Sequence, residues 1–404
     1  MMRFLLATIL GTAVCFQACS QPQSKGTPGV SGVETQPPNS KYKPAFAGQT
    51  RVAAVETTTP YAVKELATNM GRPWAVVALP DGRLLITDKS GFMHLRDTGG
   101  KLLKKITGLP AVDDRGQGGL LDVAPDPAFA QNRTLYWAYS EKNGDGNLTA
   151  IAKGQLSADE TTLQHAQVIF RATPALQGSL HFGCRLQFDK EGYLYASVGE
   201  RSIAEGRKQS QWLHSGLGKI FRLTTDGKPA PGNPFANRSD AMPEIWSYGH
   251  RNPQSLALHP ATGQLWEAEF GPRGGDELNL IKPGKNYGCP TITYGIEYGG
   301  QPVGDALQQK DGMEQPVYYW DPVISPSGMD FYAGSDIPEW KNNLFIGCLS
   351  GMHIARLVID NNNRVTGEER LLTGKNERIR DVAYWKGKLY AVTDSGKLLA
   401  VGKP

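Results

Sequence analysis

The stretch RLQFDKEGYLYASVG, residues 185–199, contains two short runs in which apolar and polar side chains alternate. A turn formed by Lys190, Glu191 and Gly192 separates the two runs. Alternation with a period of two residues, interrupted by a turn that contains glycine, predicts a β-hairpin.

The same hairpin pattern occurs six times in the chain. The other five copies are WAVVALPDGRLLITD (74–88), LLDVAPDPAFAQNRTLYWAYS (120–140), SLALHPATGQLWEAEFG (255–271), GMDFYAGSDIPEWKNNLFIGCLSG (328–351) and RDVAYWKGKLYAVTDSG (380–396). The first leucines of the second runs are 45 to 79 residues apart, which suits four strands and long loops in each unit: Leu84, Leu135, Leu194, Leu265, Leu344 and Leu389. A hairpin cannot bury both of its faces alone, whereas radial stacking buries them and protects the strand edges. The repeats therefore predict an all-β fold, a six-bladed β-propeller, with a β-sandwich or two separate domains as the alternatives.

The composition agrees with this class and excludes others. The 404 residues include 47 Gly and 27 Pro, many for a helical protein. The net charge is +4 and no dense Lys/Arg run is present, so we expect no nucleic-acid partner. Beyond the N-terminal segment the cysteines are few, widely spaced and odd in number, which implies no disulfide framework, and no zinc motif is present: Cys184, Cys289 and Cys348.

The N-terminus predicts export. Arg3 precedes an apolar run, residues 4–14, that is too short to span a bilayer. Residues 16–20 loosely resemble a bacterial lipoprotein processing box, which makes Cys19 a candidate for lipidation. We therefore expect an export signal at 1–19, a flexible linker at 20–49 and a propeller at 50–404. The mature protein is expected in the periplasm or lipid-anchored at the periplasmic face of a bacterial membrane, without a transmembrane helix.

Polar side chains recur at the start of the predicted units. Trp74 holds this position in the first unit, and the later units have Gln117, His181, Arg251 with Asn252 and Gln254, Ser325 with Ser327, and Arg378 with Arg380. In a propeller this position converges on the central axis, so these side chains are expected to face one pocket. Arginines and amides suit an anionic, planar ligand. Each residue alone could instead cap a strand, and the arginines could pair with a neighbouring acid such as Asp381.

A second stretch, EFGPRGGDELNLIKPGKNYGCP (269–290), offers ligands for a hard cation. Gly271 and Pro272 form a tight turn, and such turns expose the backbone carbonyls that calcium accepts. Asp276, Glu277 and Tyr287 follow. Their spacing alone does not specify a calcium site.

Six motifs, in chain order, carry a family resemblance from about residue 60 to the C-terminus: GQGGLLDVAPDPAF, HFGCRLQF, WSYGHRNPQ, FGPRGGDELN, NYGCP and NERIRDV. With these motifs the chain resembles the soluble aldose sugar dehydrogenases that use pyrroloquinoline quinone (PQQ). The resemblance implies a six-bladed propeller with the quinone on the axis over a calcium ion. It also implies an aldose substrate and an external electron acceptor, either a quinone or a cytochrome.

The resemblance further implies roles for individual residues. His181 is expected to be the general base, and Arg251 to polarise the quinone. Contacts with cofactor or substrate are expected from Gln117, Arg251, Asn252, Tyr298, Arg378 and Arg380. Gly271 and Pro272 are expected to bind the calcium ion that holds the quinone, and Glu277 and Tyr287 a second, structural calcium ion.

Three positions depart from the family pattern. Leu349-Ser350 replaces the Leu-Lys that is frequent in glucose-oxidising relatives, Cys184 stands where glycine is more usual, and Leu180 precedes His181 where some members carry an acid. Two other functions remain open on the sequence: a calcium-dependent lactonase, and a non-catalytic propeller that binds a partner or a glycan.

Overall fold

The computed structural model describes residues 32–404. The predicted export signal and Cys19 lie outside these residues. Within them, twenty-four strands form six four-stranded antiparallel sheets. The six-bladed β-propeller is therefore confirmed, and the sandwich and two-domain alternatives are wrong.

The strands follow the blades in chain order. β1 (Ala62–Ala67) precedes the first blade. Blade one contains β2 (Pro73–Ala78), β3 (Leu84–Asp88), β4 (Phe92–Arg96) and β5 (Leu102–Ile106). Blade two contains β6 (Leu120–Pro125), β7 (Thr134–Asn143), β8 (Gly146–Leu156) and β9 (Leu163–Arg171). Blade three contains β10 (Leu186–Phe188), β11 (Leu194–Val198), β12 (Lys219–Leu223) and β13 (Ile245–Tyr248). Blade four contains β14 (Pro253–Leu258), β15 (Leu265–Glu269), β16 (Asp276–Ile281) and β17 (Tyr318–Trp320). Blade five contains β18 (Pro326–Phe331), β19 (Leu344–Cys348), β20 (His353–Ile359) and β21 (Val365–Leu371). Blade six contains β22 (Ile379–Trp385), β23 (Lys388–Thr393) and β24 (Leu398–Gly402). Two short helices, α1 (Phe129–Asn132) and α2 (Ala204–Gln209), and one 3₁₀ turn (Pro338–Trp340) lie in the connections.

The two ends of the propeller chain meet in blade six. β1 pairs antiparallel with β24 and forms the outermost strand of that blade, with Val63 opposite Val401. The first strands of neighbouring blades contact one another, and β22 contacts β2. These first strands therefore surround the axis, and β1 completes the last blade of the ring.

The six predicted hairpins form the first two strands of the six blades. In the opening stretch, Leu186 pairs with Ala196, and Gly192 adopts a φ of 84° in the turn. All six marker leucines are buried. Period and turn chemistry were sufficient here because each second strand is packed on both faces, between neighbouring blades.

A buried ion cluster crosses the axis. The Nη1 atom of Arg185 lies 3.1 Å from Asp122 and 3.0 Å from Asp381, which joins the inner strands of blades two and six to blade three. Arg185 also stacks over Trp74. Asp381, the acid suggested as a partner of Arg378 and Arg380, is thus the partner of Arg185.

Residues 32–61 run along the propeller as an extended segment, which we call the strap. Ser40 and Gln49 are buried, and Val55 donates a backbone hydrogen bond to Glu368 on the outer strand of blade five. The expected flexible linker (20–49) includes residues 32–49, which contact the blades in the structure. Its polar composition indicated that it could not form a core, but the strap is held by specific hydrogen bonds to the blades. No helix in residues 32–404 is long and apolar enough to cross a membrane.

Candidate active site

A cavity of about 510 Å³ lies where the inner strands of the six blades begin. Every blade contributes to its wall: Trp74, Gln117, His181, Gln254, Ser325, and Arg378 with Arg380. The structure thus brings together most of the polar residues that share the starting position of the units. The volume lies within the range of about 300–1,000 Å³ that is usual for small-molecule sites.

The wall of this cavity is strongly cationic. Arg72, Lys89, Arg378 and Arg380 line it, and Asp394 is the acid that faces them. With Asp114, which pairs with Arg72, four positive and two negative charges leave +2. Asp394 accepts hydrogen bonds of 2.8 Å from Nε of Arg378 and from Nε of Arg380. Such a wall suits an anionic ligand.

Lys89 supplies a cation that the sequence analysis missed. It follows β3 in blade one, lines the cavity, and donates to the carbonyl of Gly116 at 2.7 Å. Burial and the neighbouring Arg380 and Arg72 lower the pKa of this lysine. Ser350 holds the blade-five position where lysine is frequent in glucose-oxidising relatives, and Lys89 of blade one places a positive charge on the cavity wall.

The missed residues share a signal in the sequence. Lys89 follows β3, Phe270 follows β15, Leu349 follows β19 and Asp394 follows β23, and all four line the cavity. Since antiparallel strands reverse direction, the end of each second strand lies beside the start of the first. The residues that follow the second strand of a predicted hairpin therefore form a second set of positions that face the axis.

His181 is buried in the wall with a fixed ring orientation. It is 4% exposed, and its Nδ1 lies 2.7 Å from Oε1 of Glu200, which is fully buried after β11. Its backbone N–H donates to Oε1 of Gln117 at 2.8 Å. With Nδ1–H donated to Glu200, the neutral ring keeps an unprotonated Nε2. Burial lowers the pKa of His181, against the opposing effect of the Glu200 carboxylate.

Glu200 supplies the orienting acid that Leu180 does not provide next to His181. The residue next to the histidine in the chain is not an acid, but an acid from the end of β11 orients the ring. The second oxygen of Glu200 accepts the N–H of Ser202 at 2.7 Å, which fixes the carboxylate.

Arg251 and Asn252 lie beside the large cavity without lining it. Nη1 of Arg251 donates to the carbonyls of Phe270 at 3.0 Å and Gly271 at 2.5 Å. Oδ1 of Asn252 accepts the N–H of Gly183 at 3.1 Å. The direct cofactor contacts expected for Arg251 and Asn252 therefore stay predictions, and in the structure Asn252 supports the loop that carries His181.

The four residues expected at metal ions share one small cavity of about 30 Å³: Gly271, Pro272, Glu277 and Tyr287. Arg251 and Phe270 also line it, and Phe270 lines the large cavity as well. The turn at Gly271 is held by Asp276, which accepts its N–H at 2.8 Å. Burial raises the pKa of Asp276 to about 7. Tyr298 lines the large cavity and is 70% exposed.

Comparison with known proteins identifies the family. The glucose/sorbosone dehydrogenase family model matches residues 70–400, most of the chain. This chain belongs to the glucose/sorbosone dehydrogenase family. Membership in this family makes the protein an oxidoreductase that acts on CH–OH groups of sugars, and it confirms the resemblance inferred from the six motifs.

Named relatives and solved structures of this family cover the propeller. Aldose sugar dehydrogenase YliI of Escherichia coli (strain K12) is 42% identical over 345 residues, which are 84% of this chain and 92% of that protein. The soluble aldose sugar dehydrogenase of Escherichia coli in its apo form has a TM-score of 0.81 at 40% identity, covering 85% of this chain and 100% of that chain. The PQQ-bound form of aldose sugar dehydrogenase from Streptomyces coelicolor has a TM-score of 0.69 at 29% identity, covering 86% of this chain and 99% of that chain.

Proposed function

We propose that this protein oxidises aldose sugars at C1 to lactones, with PQQ and calcium as cofactors, and passes the electrons to an external acceptor. The observation that carries the proposal is the cationic axial cavity that contains the His181–Glu200 pair. The PQQ-bound relative of the same fold supports the choice of cofactor.

The residues of the large cavity fit PQQ. This quinone is planar and carries three carboxylates, and the net positive charge of the cavity wall is complementary to them. Arg378 and Arg380 would hold carboxylates through their guanidinium groups, and Lys89 would add a third cation from blade one. Gln117 keeps its amide N–H₂ group free for a ligand, because its oxygen already accepts the N–H of His181.

The residues of the small cavity fit calcium less completely than those of the large cavity fit PQQ. Backbone oxygens of Gly271 and Pro272 and the carboxylate of Glu277 are ligands of the type that calcium prefers. The carbonyl of Gly271 also accepts a hydrogen bond from Arg251, so calcium at this oxygen would share it with the guanidinium. When bound, PQQ and calcium would supply the hydride acceptor and a Lewis acid.

His181 would act as the base for the sugar hydroxyl. Its Nε2 would take the proton from the anomeric hydroxyl, while Glu200 stabilises the imidazolium that forms and holds the ring in place. Because burial lowers the pKa of His181, the neutral form is available throughout the neutral pH range. The two alternatives are less well supported, since a lactonase needs acidic and amide side chains that face its metal, and family membership favours an enzyme over a non-catalytic propeller.

Reconstitution would test the proposal. We expect the apoprotein to bind one equivalent of PQQ in the presence of calcium, seen as a shift in the quinone absorption, and then to oxidise glucose with an artificial acceptor. Lys89→Met should weaken PQQ binding by about 10-fold or more, the effect of losing one charge-assisted hydrogen bond. Lys104→Met, on the exposed outer strand of blade one, is the matched control. Failure of the wild-type protein to bind PQQ would contradict the proposal and favour the lactonase or the non-catalytic propeller.

We also propose that the protein is exported and works in the periplasm or at the periplasmic membrane face. The N-terminal signal and Cys19 support this location, and a membrane quinone or a periplasmic cytochrome would then accept the electrons. Radiolabelled palmitate incorporation into the wild type and Cys19→Ala would test the lipid anchor.

A further inference from the structure

A second cluster of donor atoms is buried in blade four, outside the lining of both cavities except for Glu269. His250, Glu267 and Glu269 are 0%, 0% and 2% exposed. One ligand atom from each residue lies within 4.8 Å of the other two. Glu267 and Glu269 are two residues apart on β15 and so face the same side of the sheet.

Three neighbouring atoms of this cluster are buried without a hydrogen-bond partner. They are Nδ1 of His250, Oε1 of Glu267 and Oδ1 of Asn279, and Asn279 lies opposite Glu267 on β16. Leaving one such atom unsatisfied costs about 1–3 kcal/mol. An ion bound by Nδ1 of His250 and Oε1 of Glu267 would remove that cost at both of these atoms.

The negative charge of the cluster also indicates that a ligand binds there. Glu277 lies opposite Glu269, so two buried carboxylates and one partly exposed carboxylate meet on one face of blade four. Within residues 32–404, no Lys or Arg forms a salt bridge with Glu267, Glu269 or Glu277. A divalent cation would neutralise this concentration of negative charge.

We propose that His250, Glu267 and Glu269 bind a divalent transition-metal ion of the zinc type. Calcium takes oxygen ligands, whereas zinc takes histidine nitrogen together with carboxylate oxygen. Nδ1 of His250 lies 3.5 Å from Oε1 of Glu269. Two ligands of a tetrahedral zinc ion, each at about 2.1 Å, stand about 3.4 Å apart.

A hydrogen bond at Nε2 of His250 orients the ring so that Nδ1 can bind a metal. Nε2 lies 2.8 Å from the hydroxyl of Ser247, which can accept the Nε2 proton and leave Nδ1 as the metal ligand. His250 and Glu267 do not line the small cavity of Gly271, Pro272 and Glu277. Glu269 does line that cavity, so the proposed ion would lie beside the calcium site expected at Glu277 and Tyr287, and the proposal does not depend on PQQ.

The ion would stabilise the loop that carries the base. The second oxygen of Glu269 accepts the backbone N–H groups of Arg251 at 2.5 Å and Asn252 at 3.0 Å. Oδ1 of Asn252 in turn accepts the N–H of Gly183, two residues after His181. An ion on Glu269 thus fixes a chain of contacts that ends beside His181.

Elemental analysis and cobalt titration would test the site. We expect protein purified without a histidine tag or chelator to contain about one equivalent of a transition metal. After metal removal, Co²⁺ should restore one site with the intense visible bands of four-coordinate cobalt, and His250→Leu or Glu267→Gln should abolish these bands. Ser247→Ala should weaken binding by about 10- to 100-fold, as loss of a hydrogen-bond partner of a metal ligand usually does. His94→Leu, at another buried histidine, is the control and should leave binding unchanged.

Two results would overturn the proposal. One is a wild-type protein that binds Co²⁺ and Zn²⁺ no better than Glu267→Gln, a variant that keeps the shape of the side chain. The other is a site that retains only calcium, equally in the wild type and in His250→Leu. If His250→Leu does not fold, Glu267→Gln and Ser247→Ala still provide the comparison.

Discussion

The imidazole of His181 is held by side chains from two blades. Gln117 of blade two fixes its backbone, and Glu200 of blade three fixes its ring. The location of His181 at the axial cavity could be predicted from the sequence because its position recurs in every unit, whereas its role as a base stays a prediction from the family resemblance. Glu200 could not, since it lies 19 residues further along the chain and only the return of β11 brings it to the ring.

This pair predicts a pH profile. Burial disfavours the imidazolium and lowers the pKa of His181, so the base stays neutral as the pH falls below the ordinary histidine value of about 6.5. We expect kcat/KM of the reconstituted enzyme to fall only below that pH. His181→Ala should reduce kcat by about 100-fold or more and leave PQQ affinity nearly unchanged.

The variant Glu200→Gln distinguishes a role of Glu200 in orienting the ring of His181 from a purely structural role in folding. The carboxylate raises the pKa of His181, so its loss should move the acid limb to still lower pH while kcat decreases. A purely structural role would lower the melting temperature and leave the acid limb in place. An acid limb above pH 6.5 in the wild type would contradict the assignment of the base.

At the scale of elements, the hairpins were predictable and the strap was not. Alternation and turn glycines are local signals, and they identified the first two strands of every blade. The outer strands vary more in length and exposure, and the strap has no periodic pattern. Its position is set instead by side chains far away in the sequence, among which Asp321 is central. The same limit applied at the site, where Arg378 and Arg380 were found but their partner Asp394 was not.

The hydrogen bonds of Asp321 lead to a prediction about the contribution of the strap to stability. Its carboxylate accepts the N–H groups of Asn39 at 2.7 Å and Ser40 at 2.9 Å, and also their side chains. Asp321→Ala should therefore lower the free energy of unfolding by about 1–3 kcal/mol and make residues 32–49 accessible to proteases. Asp311→Ala, at an exposed aspartate, should do neither. A strap that stays resistant in Asp321→Ala would show that its other contacts are sufficient.

At the scale of the whole molecule, the ring is closed by a strand that lies outside the family match. That match begins at residue 70, after the strap and after β1. β1 pairs with β24 and covers the edge of blade six. An uncovered edge strand is a template for pairing with other chains. Closure by β1 therefore stabilises the propeller and covers an edge through which other chains could pair.

Three truncations would separate closure from the strap. A variant that begins at residue 32 is the reference, and removal of residues 1–60 should lower the melting temperature below that reference by the contribution of the strap alone. Removal of residues 1–68 also deletes β1, so stability should fall further by about 0.5–1.5 kcal/mol for each inter-strand hydrogen bond lost. The buried residues of β24 would then lie at an open edge, and we expect oligomers in size-exclusion chromatography. If the variants that begin at residues 61 and 69 melt at the same temperature and elute at the same size, β1 does not close the ring in an energetically significant way.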